Sequence, residues 1–381
     1  MGDDVLKIAS IKSSRPTLSR RDFLKLAGLG LGAAGLAACS SGAPGGGGAL
    51  TGPVDTLVFG GYDNQDIART FQEKFGVKVN HTVFNDNEEA YTKMKAGGLD
   101  QYDIVQADSF YFRKYWDEGM IEVLDYKDFS SAETLFPEFQ DVDIWRQDNG
   151  HLAYPSMWAP YPIVYNPKFV DPPPDSWTAL WDPKYEGRIS MLDRPVEPIV
   201  ATALMLGFKD PFALTPEELK AVEDKLIEQK PLVRQYWRDV EMLTNILVSE
   251  EVWISMAFGP GASAEVRERG TPCEATIPKE GSQGWIDGSA IVKGAKNREA
   301  AIEWINYQYS PEGYLIIAEY MPWGVPNKKA VEMLMEQGKE DFVTSTMSDK
   351  PEVIHTLYHY RPPEDMKAYQ DLWNRVLAAS T

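Results

Sequence analysis

The chain has 381 residues and a formal net charge of −19, with 38 Lys and Arg against 57 Asp and Glu. That length is too great for one compact core and suits two domains. An acidic surface repels nucleic acid and anionic lipid head groups, so we expect neither of them to be a partner of the folded part.

The first 52 residues predict export and anchoring. Arg20-Arg21 opens a Gly, Ala and Leu run that is too short to span a bilayer and that ends at Leu36-Ala37-Ala38-Cys39. This order resembles a twin-arginine (Tat) signal joined to a bacterial lipoprotein box, which implies that residues 1–38 are a signal peptide and that Cys39 is lipidated. Residues 39–52, rich in Ser, Gly and Pro, then form a flexible tether. We therefore expect the folded part at the periplasmic or extracellular face of the cytoplasmic membrane, attached through the lipid anchor only.

The mature chain begins with short apolar runs that alternate with amphipathic segments. The apolar runs predict strands at 56–59, 77–84 and 102–105. The intervening segments have helical spacing and predict helices at 65–75, 88–96 and 109–118, the first of them capped by Asp63 or Asn64. Three strand–helix units in succession favour a parallel sheet with helices on both faces.

A second strand–helix series follows a crossing segment. Residues 158–166, rich in Pro and aromatic side chains, suit a passage between two lobes. The second series begins with a strand at 189–192, and Thr215-Pro216-Glu217-Glu218 combines the cap, proline and glutamate that favour a helix start. A strand at 286–292 then returns to the first lobe, and an amphipathic helix covers 366–377.

These patterns predict an α/β chain built as a two-lobed clamshell, in which each lobe is a mixed sheet flanked by helices. We assign residues 53–159 and 285–328 to lobe 1, and residues 160–284 and 329–381 to lobe 2. Ligands of such sheets sit beyond the carboxyl ends of the strands, where two lobes face each other. We therefore expect the site in the cleft, with hinge crossings between the lobes.

Several passages carry a resemblance that runs nearly end to end through the mature chain. They are Phe71–Val79, Asp103–Val105, Ser176–Gly187, Gly270–Pro272, Ile277–Gly281, Trp285–Asp287 and Pro326-Asn327. In order and spacing they resemble the extracellular solute-binding proteins of polyamine-type ABC transporters, the spermidine/putrescine-binding family. The resemblance implies a two-lobed binding protein with the type II periplasmic-binding-protein fold, which delivers a small solute to ABC permease subunits, and it does not by itself fix the solute. We expect a monomer, and a small amine such as putrescine or spermidine as the solute.

The pocket of that family is an aromatic cage with carboxylates at intervals. Aromatic faces suit a methylene chain and attract ammonium groups, and each ammonium taken out of water needs a carboxylate. On matching positions this chain has Tyr62, Glu197, Trp285, Asp287 and Trp323. Trp285 and Asp287 lie two apart on a predicted strand, so we expect both side chains on one face.

Other candidate positions depart from the family pattern. Phe59 and Gly60 stand where the first strand of the family ends in a tryptophan, and Phe258 replaces a second cage tryptophan. Asp108 stands in place of a serine. The next two residues, Ser109 and Phe110, are weaker candidates, and Phe110 replaces a tyrosine.

Arg194 stands where the family has a carboxylate. An arginine cannot hold an ammonium, but it could pair with Glu197 or Asp108, or clamp a ligand carboxylate with two hydrogen bonds. The ligand is then either a short diamine held at one end or a zwitterion, such as an amino-acid conjugate of an amine or an opine-like compound.

An exported enzyme and an iron carrier are the competing interpretations. The predicted mature chain has no G-x-S-x-G, H-E-x-x-H, G-x-G-x-x-G or G-x-x-x-x-G-K-[ST] motif, so we predict that it is not an enzyme. His355 and His359 have i, i+4 spacing, but no carboxylate or cysteine cluster adjoins them, so we expect no metal and no cofactor. Tyr358-His359-Tyr360 is the nearest match to the adjacent tyrosines of iron-carrying proteins. Cys273, alone in the mature chain, leaves no intrachain disulfide.

Overall fold

The computed structural model describes residues 50–379. The predicted signal peptide, the lipidation site Cys39 and nearly all of the tether lie outside the described residues. Within residues 50–379, no helix is both long enough and apolar enough to cross a membrane.

The strands of this part of the chain form two main sheets and one short hairpin. In chain order they are β1 (Val54–Phe59), β2 (Val79–Phe84), β3 (Ile104–Asp108), β4 (Arg146–Gln147), β5 (Gly150–His151), β6 (Tyr154–Pro160), β7 (Ile163–Tyr165), β8 (Ile189–Leu192), β9 (Val233–Trp237), β10 (Ile254–Met256), β11 (Glu274–Thr276), β12 (Ser282–Ile291) and β13 (Leu357–His359). The first sheet has the order β13-β12-β3-β1-β2, with β6 also paired to β12. The second sheet has the order β11-β7-β10-β8-β9, and β4 and β5 form the hairpin.

The α-helices connect and flank these strands. In chain order they are α1 (Gln65–Phe75), α2 (Asn87–Lys95), α3 (Ser109–Asp117), α4 (Pro137–Gln140), α5 (Glu197–Met205), α6 (Pro216–Gln229), α7 (Val240–Val248), α8 (Gly261–Glu268), α9 (Arg298–Gln308), α10 (Pro311–Ile317), α11 (Lys328–Glu336), α12 (Glu340–Ser345) and α13 (Met366–Ala378). Several single turns of 3₁₀-helix occur between them. The predicted α/β class, with mixed sheets and flanking helices, is confirmed.

The first sheet combines a parallel part with an antiparallel part. β1 pairs in parallel with β2 and β3, as the repeated strand–helix units predict. β12 runs antiparallel to both β3 and β6, and its first residues pair in parallel with β13. The predicted strand at 286–292 is therefore real, but it begins four residues earlier, at Ser282.

The chain passes between the two sheets where the sequence predicts a crossing. β6 belongs to the first sheet and β7 to the second, and only Tyr161 and Pro162 separate them. The return passage runs from β11 to β12. The lobe boundaries themselves stay a prediction, and one strand differs from them. β13, which the prediction assigns to lobe 2, pairs with β12 of the first sheet, whereas α13 packs against α6.

Side-chain caps fix the helix starts that the sequence indicates. Asn64 accepts hydrogen bonds from the backbone N–H groups of Asp66 and Ile67 at the start of α1. At α6, the Glu218 N–H donates to the Thr215 hydroxyl at 3.2 Å, and the Thr215 N–H donates to the Glu218 carboxylate at 2.8 Å. This reciprocal pair satisfies two backbone donors that a helix terminus leaves free.

Loss of the α6 cap should destabilise the protein without affecting its site. We expect Thr215→Ala to lower the free energy of unfolding by about 1 kcal/mol, since it removes the N-cap acceptor. Urea unfolding followed by circular dichroism measures this. Thr92→Ala, at an exposed position within α2, is the control and should leave stability unchanged or slightly raised, because alanine is the better helix former. Equal effects of the two substitutions would contradict the assigned role of the cap.

Candidate ligand-binding site

β12 brings the predicted aromatic wall and anion next to a second carboxylate. Trp285 and Asp287 lie two residues apart on this strand, so both side chains project from one face. Asp108, the last residue of β3, is the register partner of Asp287 across the antiparallel pair. Directly opposite residues of neighbouring strands project from the same face, so the two carboxylates stand side by side.

Asp287 is held by a phenol from the first βα connection. The Tyr62 hydroxyl donates to Asp287 Oδ2 at 3.0 Å, and the Ser156 hydroxyl donates in turn to the Tyr62 oxygen at 3.4 Å. Tyr62 is buried, whereas part of Asp287 remains accessible. Burial deep in the fold, followed by the neighbouring Asp108 charge, raises the pKa of Asp287 well above its usual value, and the Tyr62 hydrogen bond only partly opposes this.

Asp108 caps the start of α3 through hydrogen bonds, and its pKa is raised. It is the N-cap of α3, and its Oδ1 accepts hydrogen bonds from the Ser109 hydroxyl at 3.0 Å and the Phe110 N–H at 3.3 Å. Although these bonds favour the ionised form, burial outweighs them and raises the pKa of Asp108 to about 7. Asp108 is therefore partly protonated near neutral pH in the absence of a cation.

Glu197 and Arg194 approach from the second sheet. Glu197 is the first residue of α5, is only 5% exposed, and has a pKa raised by burial. Its Oε1 lies 3.9 Å from the nearest guanidinium nitrogen of Arg194, whose side chain is 50% exposed. The predicted Arg194–Glu197 pairing is thus present, but as a long contact at the edge of solvent.

A series of aromatic rings links Arg194 to Trp285. The Arg194 guanidinium lies 5.4 Å from the Phe258 ring centroid, Phe258 lies 6.2 Å from Trp323, and Trp323 lies 5.4 Å from Trp285. The planes of neighbouring rings are steeply inclined to one another, so both ring faces and ring edges border the space between them. Gly259 allows this arrangement, because a Cβ atom there would lie 2.7 Å from the Trp323 ring.

Two tyrosines that the prediction did not place in the site lie among its charges. Tyr161 forms the crossing between the sheets, and its ring contacts Phe258 at 5.1 Å. After burial, the Glu197 charge is the largest influence that raises the pKa of Tyr161, and the same holds for Tyr360, whose pKa rises to about 12. Tyr360 follows β13 and donates its backbone N–H to Gly284 of β12 at 2.8 Å. The available signals were the aromatic crossing segment and the pair of tyrosines around His359.

The remaining candidates take part in packing at the ends of β1 and β3. The Phe59 ring lies 4.2 Å from Phe84, and the Phe59 N–H donates to the Gln106 side chain at 3.1 Å. Gly60 is exposed in the turn that follows, and Phe110 packs edge to face on Tyr111 at 5.7 Å. Their contact with a ligand stays a prediction. His355 and His359 do not share a helix, since His359 belongs to β13.

We call the region bordered by the three carboxylates and by the rings of Phe258, Trp285 and Trp323 the chamber; its border is anionic and aromatic. Within residues 50–379, Arg194 is the only cationic side chain that forms an ion pair with any of the three carboxylates Asp108, Glu197 and Asp287. The described residues contain no group of three or more His, Cys, Asp or Glu side chains arranged to hold a metal ion. Chemically, this arrangement suits an organic cation with apolar segments.

Known proteins with similar sequences include solute-binding and polyamine-binding periplasmic proteins. Residues 66–345 match the family described as bacterial extracellular solute-binding protein. The chain is 29% identical to the spermidine/putrescine-binding periplasmic protein of Salmonella typhimurium over 291 residues, which cover 75% of this chain and 82% of that protein. It is 26% identical over 334 residues to the putrescine-binding periplasmic protein SpuD of Pseudomonas aeruginosa, covering 83% and 89% of the two chains.

Solved structures agree with these relatives. The spermidine/putrescine ABC transporter substrate-binding protein PotD of Streptococcus pneumoniae, solved with calcium and HEPES, has a TM-score of 0.72 and 28% identity, covering 86% of this chain and 99% of that chain. The glucopine complex of MotA from A. tumefaciens has a TM-score of 0.59 and 22% identity, covers 85% and 99% of the two chains, and shares the fold. The resemblance seen in the sequence is confirmed: the chain belongs to the bacterial extracellular solute-binding protein family.

Proposed function

We propose that this chain is the solute-binding component of an ABC importer and that it captures a polyamine, such as putrescine or spermidine, between its two sheets. The observation that carries the proposal is the pair of carboxylates Asp108, which is buried, and Asp287, which is partly buried; they stand side by side without a cationic partner among residues 50–379. The names of the spermidine/putrescine-binding relatives support the same class of ligand.

The physical argument starts from the cost of these carboxylates. An ionised carboxylate removed from water is costly unless a cation or several donors compensate it. One ammonium group placed between Asp108 and Asp287 can donate a hydrogen bond to each carboxylate, and it balances one of the two charges. The Trp285 and Trp323 rings then offer apolar surface to the methylene chain and negative ring faces to the cation.

Arg194 supports a second candidate. Its half-exposed guanidinium is only loosely paired with Glu197, at 3.9 Å, so it remains available to a ligand carboxylate. A zwitterion, such as an amino-acid conjugate of an amine or an opine-like compound, would place its ammonium at Asp108 and Asp287 and its carboxylate at Arg194. A diamine would instead direct its second ammonium to Glu197.

The cellular setting follows from the proposed function and the leader. An exported, Tat-translocated protein tethered through Cys39 would hold the site beside the permease subunits while leaving the folded part free to move. Ligand that contacts both sheets would favour a closed arrangement by its differential binding. This setting requires a monomer, a permease and a lipid anchor, and it requires no catalysis.

A thermal-shift screen of the purified mature chain tests the class of ligand. Polyamines, amino acids, opines, sugars and iron are compared at equal concentration. A ligand at 100 times its dissociation constant adds about 2.7 kcal/mol to the free energy of unfolding, which is a readily measured rise in melting temperature. A rise with opines or iron and none with any polyamine would reject the proposal.

Asp287→Asn should greatly weaken amine binding without destabilising the empty protein. We expect the affinity for putrescine to fall by about 100-fold or more, as for the loss of one partner from a buried charge pair. The ligand-free melting temperature should stay the same or rise, because the substitution removes an uncompensated buried charge. Calorimetry and thermal unfolding measure the two effects. Asp148→Asn, on the exposed turn of the β4–β5 hairpin, is the control. An unchanged affinity for Asp287→Asn would remove this residue from the site.

Putrescine affinity should fall as the pH is lowered from 8 to 5.5. The raised pKa of Asp108, about 7, means that this carboxyl holds a proton below neutrality and must lose it before it can pair with an ammonium. Alkyl ammonium groups stay charged over this range, so the dependence comes from the protein. We expect the affinity to fall by up to about tenfold per pH unit below 7. Asp108→Asn, which keeps an α3 cap, should make the profile shallower but not flat, because the pKa of Asp287 is also raised. An equally steep profile in that variant would assign the effect to Asp287 or to another group.

Arg194→Asp should shift preference toward longer polyamines. The substitution restores the acidic residue that the family pattern has at this position and provides a carboxylate for a further ammonium. Because the side chain is half exposed and solvent screens it, we expect the ratio of spermidine to putrescine affinity to rise only roughly 3- to 10-fold. Arg234→Asp, on the exposed edge of β9, is the control. Absence of spermidine binding in both the natural chain and the variant would contradict the polyamine assignment.

A further inference from the structure

Gln283 is a buried amide whose hydrogen-bonding groups are unused. The residue is only 2% exposed, and neither its Oε1 nor its Nε2 has a hydrogen-bond partner among residues 50–379. The indole N–H of Trp285, a residue that is 7% exposed, likewise has no partner in this part of the chain. Each unsatisfied buried group costs roughly 1–3 kcal/mol of stability. A ligand group that forms hydrogen bonds with these three atoms would therefore be favoured.

The position of Gln283 directs its side chain to the site. Gln283, Trp285 and Asp287 alternate along β12 and therefore share one face. The Gln283 carbonyl accepts the Tyr161 N–H at 2.8 Å, and Tyr358 of β13 is its register partner. Tyr161 contacts Phe258 and lies close enough to Glu197 and Arg194 to respond to their charges. Gln283 is thus the neighbour of Trp285 on this strand face, on the side away from Asp287.

The two ends of this β12 face differ in chemistry. Gln283 and Asp287 are four positions apart on the strand, which places their Cα atoms about 13 Å apart. With one hydrogen bond at each end, a separation of this size matches a short methylene chain along Trp285. One end presents paired carboxylates, and the other presents a neutral donor and acceptor together with the Trp285 N–H.

The hydrogen-bonding groups of a secondary amide match those of the Gln283 amide and the Trp285 N–H. Its carbonyl oxygen can accept from both Gln283 Nε2 and Trp285 Nε1, and its N–H can donate to Gln283 Oε1. A free ammonium complements it poorly, because a cation has no acceptor for the two N–H groups and would lie against a neutral amide. An ordered water could satisfy some of the unpaired atoms of Gln283 and Trp285. It would not place a cation between Asp108 and Asp287.

We propose that Gln283 determines specificity and that the preferred solute is a mono-N-acylated diamine, with its ammonium between Asp108 and Asp287 and its amide on Gln283 and Trp285. This rests on the proposed capture of an amine in the same chamber. It refines the ligand class, because an acylated diamine carries one positive charge where putrescine carries two.

Calorimetry with N-acetylputrescine, putrescine and spermidine tests the inference. We expect the natural chain to bind N-acetylputrescine at least tenfold more tightly than putrescine. Gln283→Leu, close in volume and apolar, should lose at least tenfold in affinity for N-acetylputrescine and less than threefold for putrescine. Gln283→Glu should reverse the preference, since it offers a carboxylate to a second ammonium. Gln337→Leu, at an exposed position after α11, is the matched control, and thermal unfolding verifies that each variant folds.

The outcomes separate this inference from the proposed function. If no amine binds the natural chain, the proposed function fails. If putrescine and spermidine bind, but N-acetylputrescine binds no better and Gln283→Leu changes all affinities equally or none, the role of Gln283 is overturned while the proposed function stands. Should Gln283→Leu fail to fold, the reversal expected of Gln283→Glu decides alone.

Discussion

The antiparallel pairing of β12 with β3 and β6 is the constraint on which the site depends. This pairing sets Asp287 opposite Asp108 and places Trp285 on the same face. A register slip of one residue would turn every one of these side chains to the opposite face. β12 also receives β13, whose continuation brings Tyr360 to the chamber. β12 therefore positions the carboxylates, the aromatic rings and both chain crossings between the sheets around the same space.

The chamber is built at a cost to the empty protein. Asp108, Glu197 and Asp287 all have raised pKa values because burial disfavours their charged forms. Hydrogen bonds from Tyr62 and Ser109 reduce this cost without removing it. The fold can bear this electrostatic cost because the surrounding sheets completely bury large aromatic side chains, among them Trp158 and Trp177. A bound cation would reduce the free-energy cost of these carboxylates. That reduction would contribute to the binding free energy.

Local patterns predicted much of the fold. The strand–helix units around β1, β2 and β3 and the capping box at Thr215 depend on residues close in sequence, and all are present. The α/β class and the crossing near Tyr161 follow from the same kind of pattern. β13 could not be placed, because its three residues have no distinctive period and pair with a strand 75 residues earlier. A short strand takes its position from its partner and not from its own sequence.

A family pattern or a strand period selected candidate site residues, Asp108 among them, but could not predict which of them long-range register brings together. Trp285 and Asp287 share a face because they are two apart on one strand. That Asp108 stands directly opposite Asp287 depends on pairing between residues 179 positions apart in the sequence, which no local pattern encodes. Gln283 looked like an ordinary polar residue at the start of a strand. Only its complete burial, with both amide atoms unused, identifies it as chemically significant.

Discrimination in this chamber depends more on what a wrong ligand leaves unpaired than on what the right ligand gains. A buried hydrogen bond contributes little net stability over the same bond to water, whereas a buried group left without a partner bears its whole desolvation cost. A neutral solute would leave Asp108 and Asp287 uncompensated, and an apolar one would also leave Gln283 unpaired. Sites with this property reject near analogues by larger factors than apolar pockets do. In the proposed site, the acids would therefore select for an ammonium, and the amide end of β12 would select among the molecules that carry one.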